Sequence, residues 1–151
     1  MQGAASSSET AMIPYDPNNV FAKILRGEMP CEKIYEDEHT LAFMDIMPRA
    51  DGHVLVIPKN PARNLLDADP QDLGRAMVAV QKLARAVKAG MKADGITVQQ
   101  FNESAGGQVV FHLHFHILPR WQGVALRPHT GAMAPKEDLQ RYADAIRAAL
   151  K

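Results

Sequence analysis

The chain has 151 residues, of which 46% are hydrophobic and 23% charged, values typical of one globular domain that buries a real core. Lysine plus arginine and aspartate plus glutamate number 17 each, so the formal net charge is zero. This balance argues against broad charge-driven binding to nucleic acid or membrane surfaces. The single cysteine, Cys31, excludes a disulfide framework or a zinc site made of cysteines, and it favours a reducing, cytoplasmic location.

The N-terminal residues 1–13 have neither the basic start nor the apolar stretch of a signal peptide. We therefore expect a disordered tail, followed by a single domain over residues 14–151. No apolar run in the sequence approaches the roughly 18–20 residues of a membrane span, so we expect no membrane partner.

The first predicted elements are a short helix and three strands. Asp16-Pro17 has the pattern of an N-cap followed by proline at the first helical position, and Gly27 would end this helix. Stretches rich in β-branched and aromatic residues then alternate with polar turns, which is typical of strands. These strands are predicted at residues 33–36, 40–46 and 53–58.

The most regular apolar pattern in the chain follows Asp69-Pro70. Apolar residues recur there at spacings of three and four, which predicts a long helix. Asp94-Gly95 would end this helix. Its apolar face would comprise Leu73, Met77, Val80, Ala84, Val87 and Met91.

Two more strands and a final helix complete the pattern. The strands are expected at residues 96–101 and 109–118, and the helix from about Pro135 to the C-terminus. Strands joined by tight turns, with one long helix among them, predict an α+β domain whose sheet of about five strands is mainly antiparallel. The apolar face of the last helix would contain Leu139, Tyr142, Ala143 and Ile146.

Histidines and bulky apolar residues alternate through residues 111–118, FHLHFHIL, which hold three of the six histidines in the chain. Because successive side chains of a strand point to opposite faces, the three histidines would share one face of the strand. The opposite, apolar face would pack against the helices. It would comprise Val109, Phe111, Leu113, Phe115 and Ile117.

Two kinds of chemistry suit three histidines in register. Zinc can be held by three histidines with a fourth position open. In one straight strand the outer Cα atoms lie about 13 Å apart, so a metal site needs a further ligand, for which His53 is the candidate. The alternative is nucleophilic attack on phosphorus by His114, with its other ring nitrogen held as N–H by a backbone carbonyl. His112 and His116 would then bind phosphate oxygens and manage the proton of the leaving group.

The loop of residues 102–108, NESAGGQ, favours a phosphate ligand over a metal. Its paired glycines let backbone N–H groups approach a phosphate closely, and Asn102 and Gln108 add side-chain donors. The loop leads directly into the histidine strand, so both features would serve one ligand.

These motifs resemble those of the histidine triad (HIT) superfamily. Residues 112–118, HLHFHIL, match its signature, in which histidines alternate with apolar residues. The preceding loop and Pro119-Arg120 resemble the Hint-like bacterial branch, as do residues 20–30, 41–46 and 52–59. The resemblance covers roughly residues 20–121 and leaves the loop and helix of residues 122–151 outside the motif core.

The resemblance implies a HIT-like fold and a homodimer whose two sheets join into one. It also implies a site for a purine nucleoside monophosphate, with Asp45 accepting hydrogen bonds from the ribose hydroxyls. His114 would attack the α-phosphate, and His112 would orient the centre with His53 behind it. The α-phosphate would be contacted by Asn102, Gly107, Gln108 and His116. The base pocket would be lined by Phe21, Ile24 and Phe43, although such apolar residues serve equally well as core.

The sequence also departs from the family pattern. Many relatives bind zinc with a Cys-x-x-Cys pair where this chain has residues 19–22, NVFA, so we expect neither that zinc site nor any other cofactor. Relatives often carry serine or threonine just after the loop glutamine, where this chain has Val109 and Val110. A hydroxyl that could deliver a proton to the leaving group is therefore missing.

We interpret the chain as a metal-independent nucleotide hydrolase or transferase. It would act on nucleoside phosphoramidates or aminoacyl-adenylates and release AMP or GMP through a nucleotidyl-histidine. One alternative is hydrolysis of dinucleoside polyphosphates at the same centre. Another is a nucleotide-binding module with little turnover. The loop of residues 122–134 would either cover the site or cross to the other protomer.

Overall fold

The structure is a computed structural model that describes residues 13–128 and 131–151. The tail predicted over residues 1–13 lies outside the described residues, apart from Ile13. In the described ranges, no helix has both the length and the apolar character that crossing a membrane requires.

A five-stranded sheet forms the centre of the fold, in the order β1-β2-β3-β5-β4, and every neighbouring pair is antiparallel. The predicted α+β fold with a mainly antiparallel sheet is therefore confirmed. The strands are β1, Lys33–Glu36; β2, Thr40–Met44; β3, Val54–Pro58; β4, Gly95–Gln99; and β5, Phe115–Arg120.

Within the described residues, three α-helices accompany the sheet: α1, Val20–Leu25; α2, Pro70–Gly90; and α3, Lys136–Ala149. The Asp69 side chain caps α2 by accepting a hydrogen bond from the Gln71 N–H, as its sequence predicts. The N-cap of α1 is Asn19, however, and not Asp16. Asp16 instead accepts a hydrogen bond from the Asn18 N–H in the turn that precedes the helix.

The long helix α2 and the C-terminal helix α3 cover one face of the sheet. The close approach of the two helices requires a glycine, because a Cβ at Gly90 would lie 2.7 Å from the Ala145 carbonyl oxygen. The predicted apolar face of α2 is partly wrong, since Met77 is 48% exposed. The buried side of α2 differs in part from the predicted side and consists largely of small residues, which let α2 lie close to the sheet. The buried side includes Ala76, Ala79, Val80, Leu83, Ala86 and Val87.

The strand predicted over residues 109–118 begins only at Phe115. The Leu113 N–H donates to the Ala62 carbonyl, so the preceding segment bonds to a loop rather than to a strand. The apolar side chains still share one face, because Leu113, Phe115 and Ile117 all lie in the core beneath the helices. Val109 was wrongly assigned to that buried face, since it is 77% exposed.

The other face of the sheet carries the histidines and a second, smaller apolar cluster. Leu55 of β3 pairs with His116 of β5, so their side chains share this face. Helix α1 covers the cluster and thereby lies beside the histidines. The buried members of the cluster are Phe21, Leu41, Phe43, Leu55 and Ile57.

Candidate active site

His114 has the ring geometry that a nucleophilic histidine needs. Its Nδ1 lies 2.7 Å from the carbonyl oxygen of His112. Because a carbonyl only accepts hydrogen bonds, Nδ1 carries the proton and Nε2 is left unprotonated. The ring is buried, and burial lowers its pKa from the usual value, which favours the neutral form. The backbone contact anticipated from the sequence is present, while the catalytic role of His114 stays a prediction.

His112 is fully buried and held at both ring nitrogens. Nε2 lies 2.8 Å from the Pro58 carbonyl oxygen and must donate to it. Nδ1 therefore accepts, and its partner is the Tyr15 hydroxyl at 2.6 Å. Burial lowers the pKa of His112 to about 4, so this ring is neutral at pH 7.

The protonation of His116 follows from a chain of contacts that begins at a backbone amide. The Arg49 N–H donates to Nδ1 of His53 at 3.1 Å, so neutral His53 carries its proton on Nε2. That nitrogen lies 2.9 Å from Nδ1 of His116 and donates to it. His116 consequently carries its own proton on Nε2. His114 and His116, whose ring centroids are 4.9 Å apart, thus hold opposite states at Nε2.

Asp45 lies directly after β2, beside this chain of histidines. One carboxylate oxygen accepts from the Met47 N–H at 2.8 Å, and the other lies 3.5 Å from Nε2 of His53. Burial raises the pKa of Asp45 to about 6. The carboxylate therefore changes charge close to neutral pH. A hydrogen-bond donor on a ligand would stabilise its charged form.

Asp45, His53 and His116 are the one group among the described residues whose ligand atoms are close enough to hold a metal ion, within 4.8 Å of one another. The hydrogen bonds do not suit such an ion. A metal on Nε2 of His53 would require the ring proton on Nδ1, which faces the Arg49 N–H. The Nδ1–H of His53 and the Arg49 N–H would then point at each other, with no acceptor between them. A zinc site made of the three triad histidines is also not formed, since both ring nitrogens of His112 are hydrogen-bonded to Pro58 and Tyr15.

The segment that follows β5 lies against the loop that carries Asp45. Arg127 and Arg49 exchange hydrogen bonds, each donating to the backbone carbonyl of the other. The Ala134 N–H donates to the Ile46 carbonyl. In the described parts of residues 122–134, this segment therefore packs on its own chain near Asp45.

In the predicted phosphate loop, the Gly107 N–H donates to the Ser104 carbonyl at 3.0 Å, and its contact with a phosphate stays a prediction. Gly107 has φ 97°, a left-handed conformation that favours glycine. Asn102 uses its side-chain oxygen to accept from the Leu65 N–H at 2.9 Å and from Gln100. Its amide nitrogen donates to Gln100. Asn102 thus ties the phosphate loop to the neighbouring loop of residues 61–67.

Gln108 does not have the free side chain that a phosphate ligand needs. Its oxygen accepts from Asn64 at 3.1 Å and from the Glu103 N–H at 2.8 Å. Its amide nitrogen donates to the carbonyls of Arg63 and Val110. These four bonds use its entire side-chain capacity. Gln108 is therefore a buried tie between two loops, and its predicted contact with a phosphate stays a prediction.

The three predicted base-pocket residues fall into two groups. Phe21 and Phe43 are buried against each other, with ring centroids 5.4 Å apart, so they pack as core. Phe21 also contacts the His114 ring edge to face at 4.9 Å. Ile24 instead lines an open groove of about 420 Å³ together with Leu41 and Lys59.

Several residues of the site were not found from the sequence. Tyr15 and Arg49 orient histidines, and Asn64 holds Gln108. Arg63 forms an ion pair with Glu103 at 2.9 Å. Most of these partners are 39 to 97 residues apart in the chain, so no local motif could reveal them.

The sequence profile of the HIT domain matches residues 26–123. The Protein hit of Bacillus subtilis is 38% identical over 134 residues, which cover 85% of this chain and 92% of that protein. Adenylylsulfatase HINT3 of Arabidopsis thaliana is 37% identical over 117 residues, 74% of this chain but only 59% of that protein.

Solved structures share the fold closely. A crystal structure of a Hit-like protein involved in cell-cycle regulation from Bartonella henselae, with an unknown ligand, superposes with a TM-score of 0.85. It is 55% identical in sequence, and the match covers 90% of this chain and 99% of that one. At this identity the similarity extends beyond the fold to the family.

Proposed function

This chain belongs to the HIT domain family, whose members are generally nucleotide-binding hydrolases or transferases, and from that premise we propose that it cleaves at the α-phosphate of nucleoside 5′-phosphoramidates or aminoacyl-adenylates. The product would be a purine nucleoside monophosphate. The reaction would proceed through a nucleotidyl-histidine on His114, without a metal or other cofactor, and the predicted location is the cytoplasm.

One observation carries the proposal, namely the opposite states of two neighbouring ring nitrogens. The unprotonated Nε2 of His114 is a nucleophile for phosphorus, and the Nε2–H of His116 is a donor for a phosphoryl oxygen. Both states follow from hydrogen bonds that already exist, so the site needs no proton shift before attack.

The chemistry divides into two steps. In the first, Nε2 of His114 forms a bond to the α-phosphorus while the bond from phosphorus to the leaving nitrogen or oxygen breaks, and the leaving group takes up a proton from solvent. In the second, water attacks the same phosphorus and loses a proton to solvent, while the bond to His114 breaks and leaves its Nε2 unprotonated again. Asp45 would accept hydrogen bonds from the ribose hydroxyls throughout. Val109 brings no hydroxyl to the leaving group, so we expect leaving groups that are protonated readily.

Two other substrates of the same centre remain candidates. The relative from Arabidopsis thaliana is named an adenylylsulfatase, which makes adenylyl sulfate a second candidate with a different leaving group on the same phosphorus. Dinucleoside polyphosphates are the other. A nucleotide-binding module with little turnover would show binding of AMP alone.

The first test is hydrolysis of adenosine 5′-phosphoramidate, measured with a chelator present. The wild type should turn over, and His114→Ala should lose at least about a thousandfold in rate. His39→Ala is the matched control, since that ring is 43% exposed and lies outside the triad, and it should keep the wild-type rate. Turnover by His114→Ala at the wild-type rate would refute the proposal.

The same assay separates the alternatives. Adenylyl sulfate and a dinucleoside polyphosphate are tested alongside, and the preferred substrate is the one with the highest kcat/KM. Calorimetric binding of AMP with no turnover of any of the three would favour the binding module. Loss of turnover on adding the chelator would instead favour a metal enzyme.

A further inference from the structure

Tyr15 makes a contact with the histidine triad from a distant part of the sequence. Its hydroxyl lies 2.6 Å from Nδ1 of His112, 97 residues away in the chain. The two rings meet edge to face, with centroids 5.6 Å apart and an interplanar angle of 71°. Burial raises the pKa of the Tyr15 hydroxyl above its usual value, so the hydroxyl is protonated at neutral pH.

The direction of this hydrogen bond is fixed by the other side of the ring. Nε2 of His112 donates to the Pro58 carbonyl at 2.8 Å, which leaves Nδ1 as an acceptor. Tyr15 therefore donates to His112. A flipped imidazole would place carbon atoms against both partners, so Tyr15 and Pro58 together select one ring orientation and one tautomer.

The same residue of the triad then positions its neighbour through the backbone. The carbonyl oxygen of His112 accepts the Nδ1–H of His114 at 2.7 Å. This hydrogen bond is what leaves Nε2 of His114 unprotonated. The ring and this carbonyl belong to one residue, so a loosened His112 ring permits shifts of the His112 backbone that lengthen the hydrogen bond to His114. A longer hydrogen bond would let the His114 ring exchange its proton between the two nitrogens.

The segment that carries Tyr15 is itself tied down. Asn19 donates to the Asp16 carbonyl from both its side chain and its backbone, and Arg26 donates to the Pro17 carbonyl at 2.8 Å. Two residues after Asn19, Phe21 contacts His114 with ring centroids 4.9 Å apart. One short stretch of chain therefore touches His112 at its start and His114 at its end.

We propose that Tyr15 is a positioning residue for His114, acting through the His112 ring and the His112 carbonyl to keep the proton of His114 on Nδ1. The inference rests on the proposed function for the role of His114. It adds a residue that lies before α1, outside both the triad and the phosphate loop.

The test uses the full chain and the variant Tyr15→Phe, which removes the hydroxyl and keeps the ring. Long-range ¹H–¹⁵N spectra report which nitrogen of each histidine carries the proton. In the wild type, we expect the proton on Nε2 of His112 and on Nδ1 of His114. In the variant, we expect the His114 signals to show exchange between tautomers. Tyr142→Phe is the control, since that hydroxyl lies on α3 beside Arg141, and its spectrum should match the wild type.

Kinetics give the second readout. Because binding groups are untouched, Tyr15→Phe should lower kcat roughly tenfold while KM changes by less than about twofold. A wild-type spectrum with the proton on Nδ1 of His112 would overturn the inference before any variant is made. So would a Tyr15→Phe protein that keeps either the wild-type His114 state or the wild-type kcat.

The two proposals fail in different ways. If the wild type turns over no nucleotide, the proposed function fails, and the spectra alone decide whether Tyr15 fixes the state of His114. If the wild type is active and Tyr15→Phe is indistinguishable from it, only the positioning role fails.

Discussion

The arrangement of protons in this site depends on one backbone amide. The Arg49 N–H selects the tautomer of His53, and His53 in turn selects that of His116. A metal would need the opposite tautomer of His53, so the same amide that prepares His116 as a donor also makes this group a poor cation site. The amide is fixed by its neighbours, because Arg49 and Arg127 bond to each other's carbonyls.

Asp45 gives a prediction for pH dependence. Burial raises its pKa in the folded protein to about 6, from an ordinary value of 3.8. The folded state therefore binds the proton more tightly than the unfolded state, and this contribution to stability is complete below about pH 3.8 and lost as the pH rises through about 6. Relative to wild type, Asp45→Asn should gain on the order of 2 kcal/mol in unfolding free energy between pH 4 and pH 7.

The measurement is urea unfolding of both proteins at several pH values in that range. The comparison between them matters because His112 acts in the opposite sense. Its pKa is lowered to about 4, so its contribution is lost as the pH falls from about 6.5 through 4. His112 is common to both proteins and cancels in the difference. A difference that stays constant with pH would contradict the assignment for Asp45.

At the scale of elements, the loop of residues 61–67 and the phosphate loop of residues 102–108 are held together by side-chain hydrogen bonds. Asn64 donates to both Glu103 and Gln108, and its own oxygen accepts from the Leu66 N–H. Arg63 adds an ion pair to Glu103 and lies over the Phe111 ring at 4.2 Å. Glu103 itself has φ 65°, a strained conformation for a residue with a side chain, so these contacts hold the phosphate loop in shape.

Asn64→Ala should therefore affect both stability and substrate binding. It leaves the buried Gln108 oxygen short of one donor, which should lower the unfolding free energy by about 1–3 kcal/mol. A looser phosphate loop should also raise KM for the nucleotide substrate several-fold with a smaller change in kcat. Denaturant unfolding and steady-state kinetics measure the two effects. Gln122→Ala, an exposed position, should change neither, and an Asn64→Ala protein with wild-type stability would contradict this role.

These elements also show what the sequence could and could not predict. The β1 boundaries and the start of α2 were confirmed, because period and capping are local signals. The start of β5 was wrong, because it depends on a hydrogen bond from Leu113 to a loop some 50 residues earlier. The exposure of Met77 was missed for a related reason, since which stripe of α2 is buried depends on how closely α3 approaches.

The same distinction holds within the site. The alternation of His112, His114 and His116 on one face was predictable, and so was the backbone partner of His114. The four hydrogen-bond partners of the Gln108 side chain could not be predicted, because they are brought together from separate segments of the chain. Tyr15 carries no motif, and only the folded chain brings it to His112.

For the whole molecule, the sheet order leaves β4 at an edge on the described chain. An exposed edge strand offers unpaired N–H and C=O groups that a second strand can bond. Val98 of β4 is 45% exposed despite being a β-branched residue in a strand. We therefore expect two copies to pair through β4, which would continue the sheet from one protomer into the next.

A charge on that edge should oppose the pairing. In Val98→Lys, each protomer would bring a lysine to the pairing edge, and its charge would have to be buried there without a partner. Light scattering should therefore give twice the mass of one chain for the wild type and a single-chain mass for the variant. Val78→Lys is the matched control, because Val78 is 70% exposed on α2, away from the sheet edge, and this variant should stay dimeric. A wild type with the mass of one chain, or a Val98→Lys protein that dimerises as tightly as Val78→Lys, would show that β4 is not the contact.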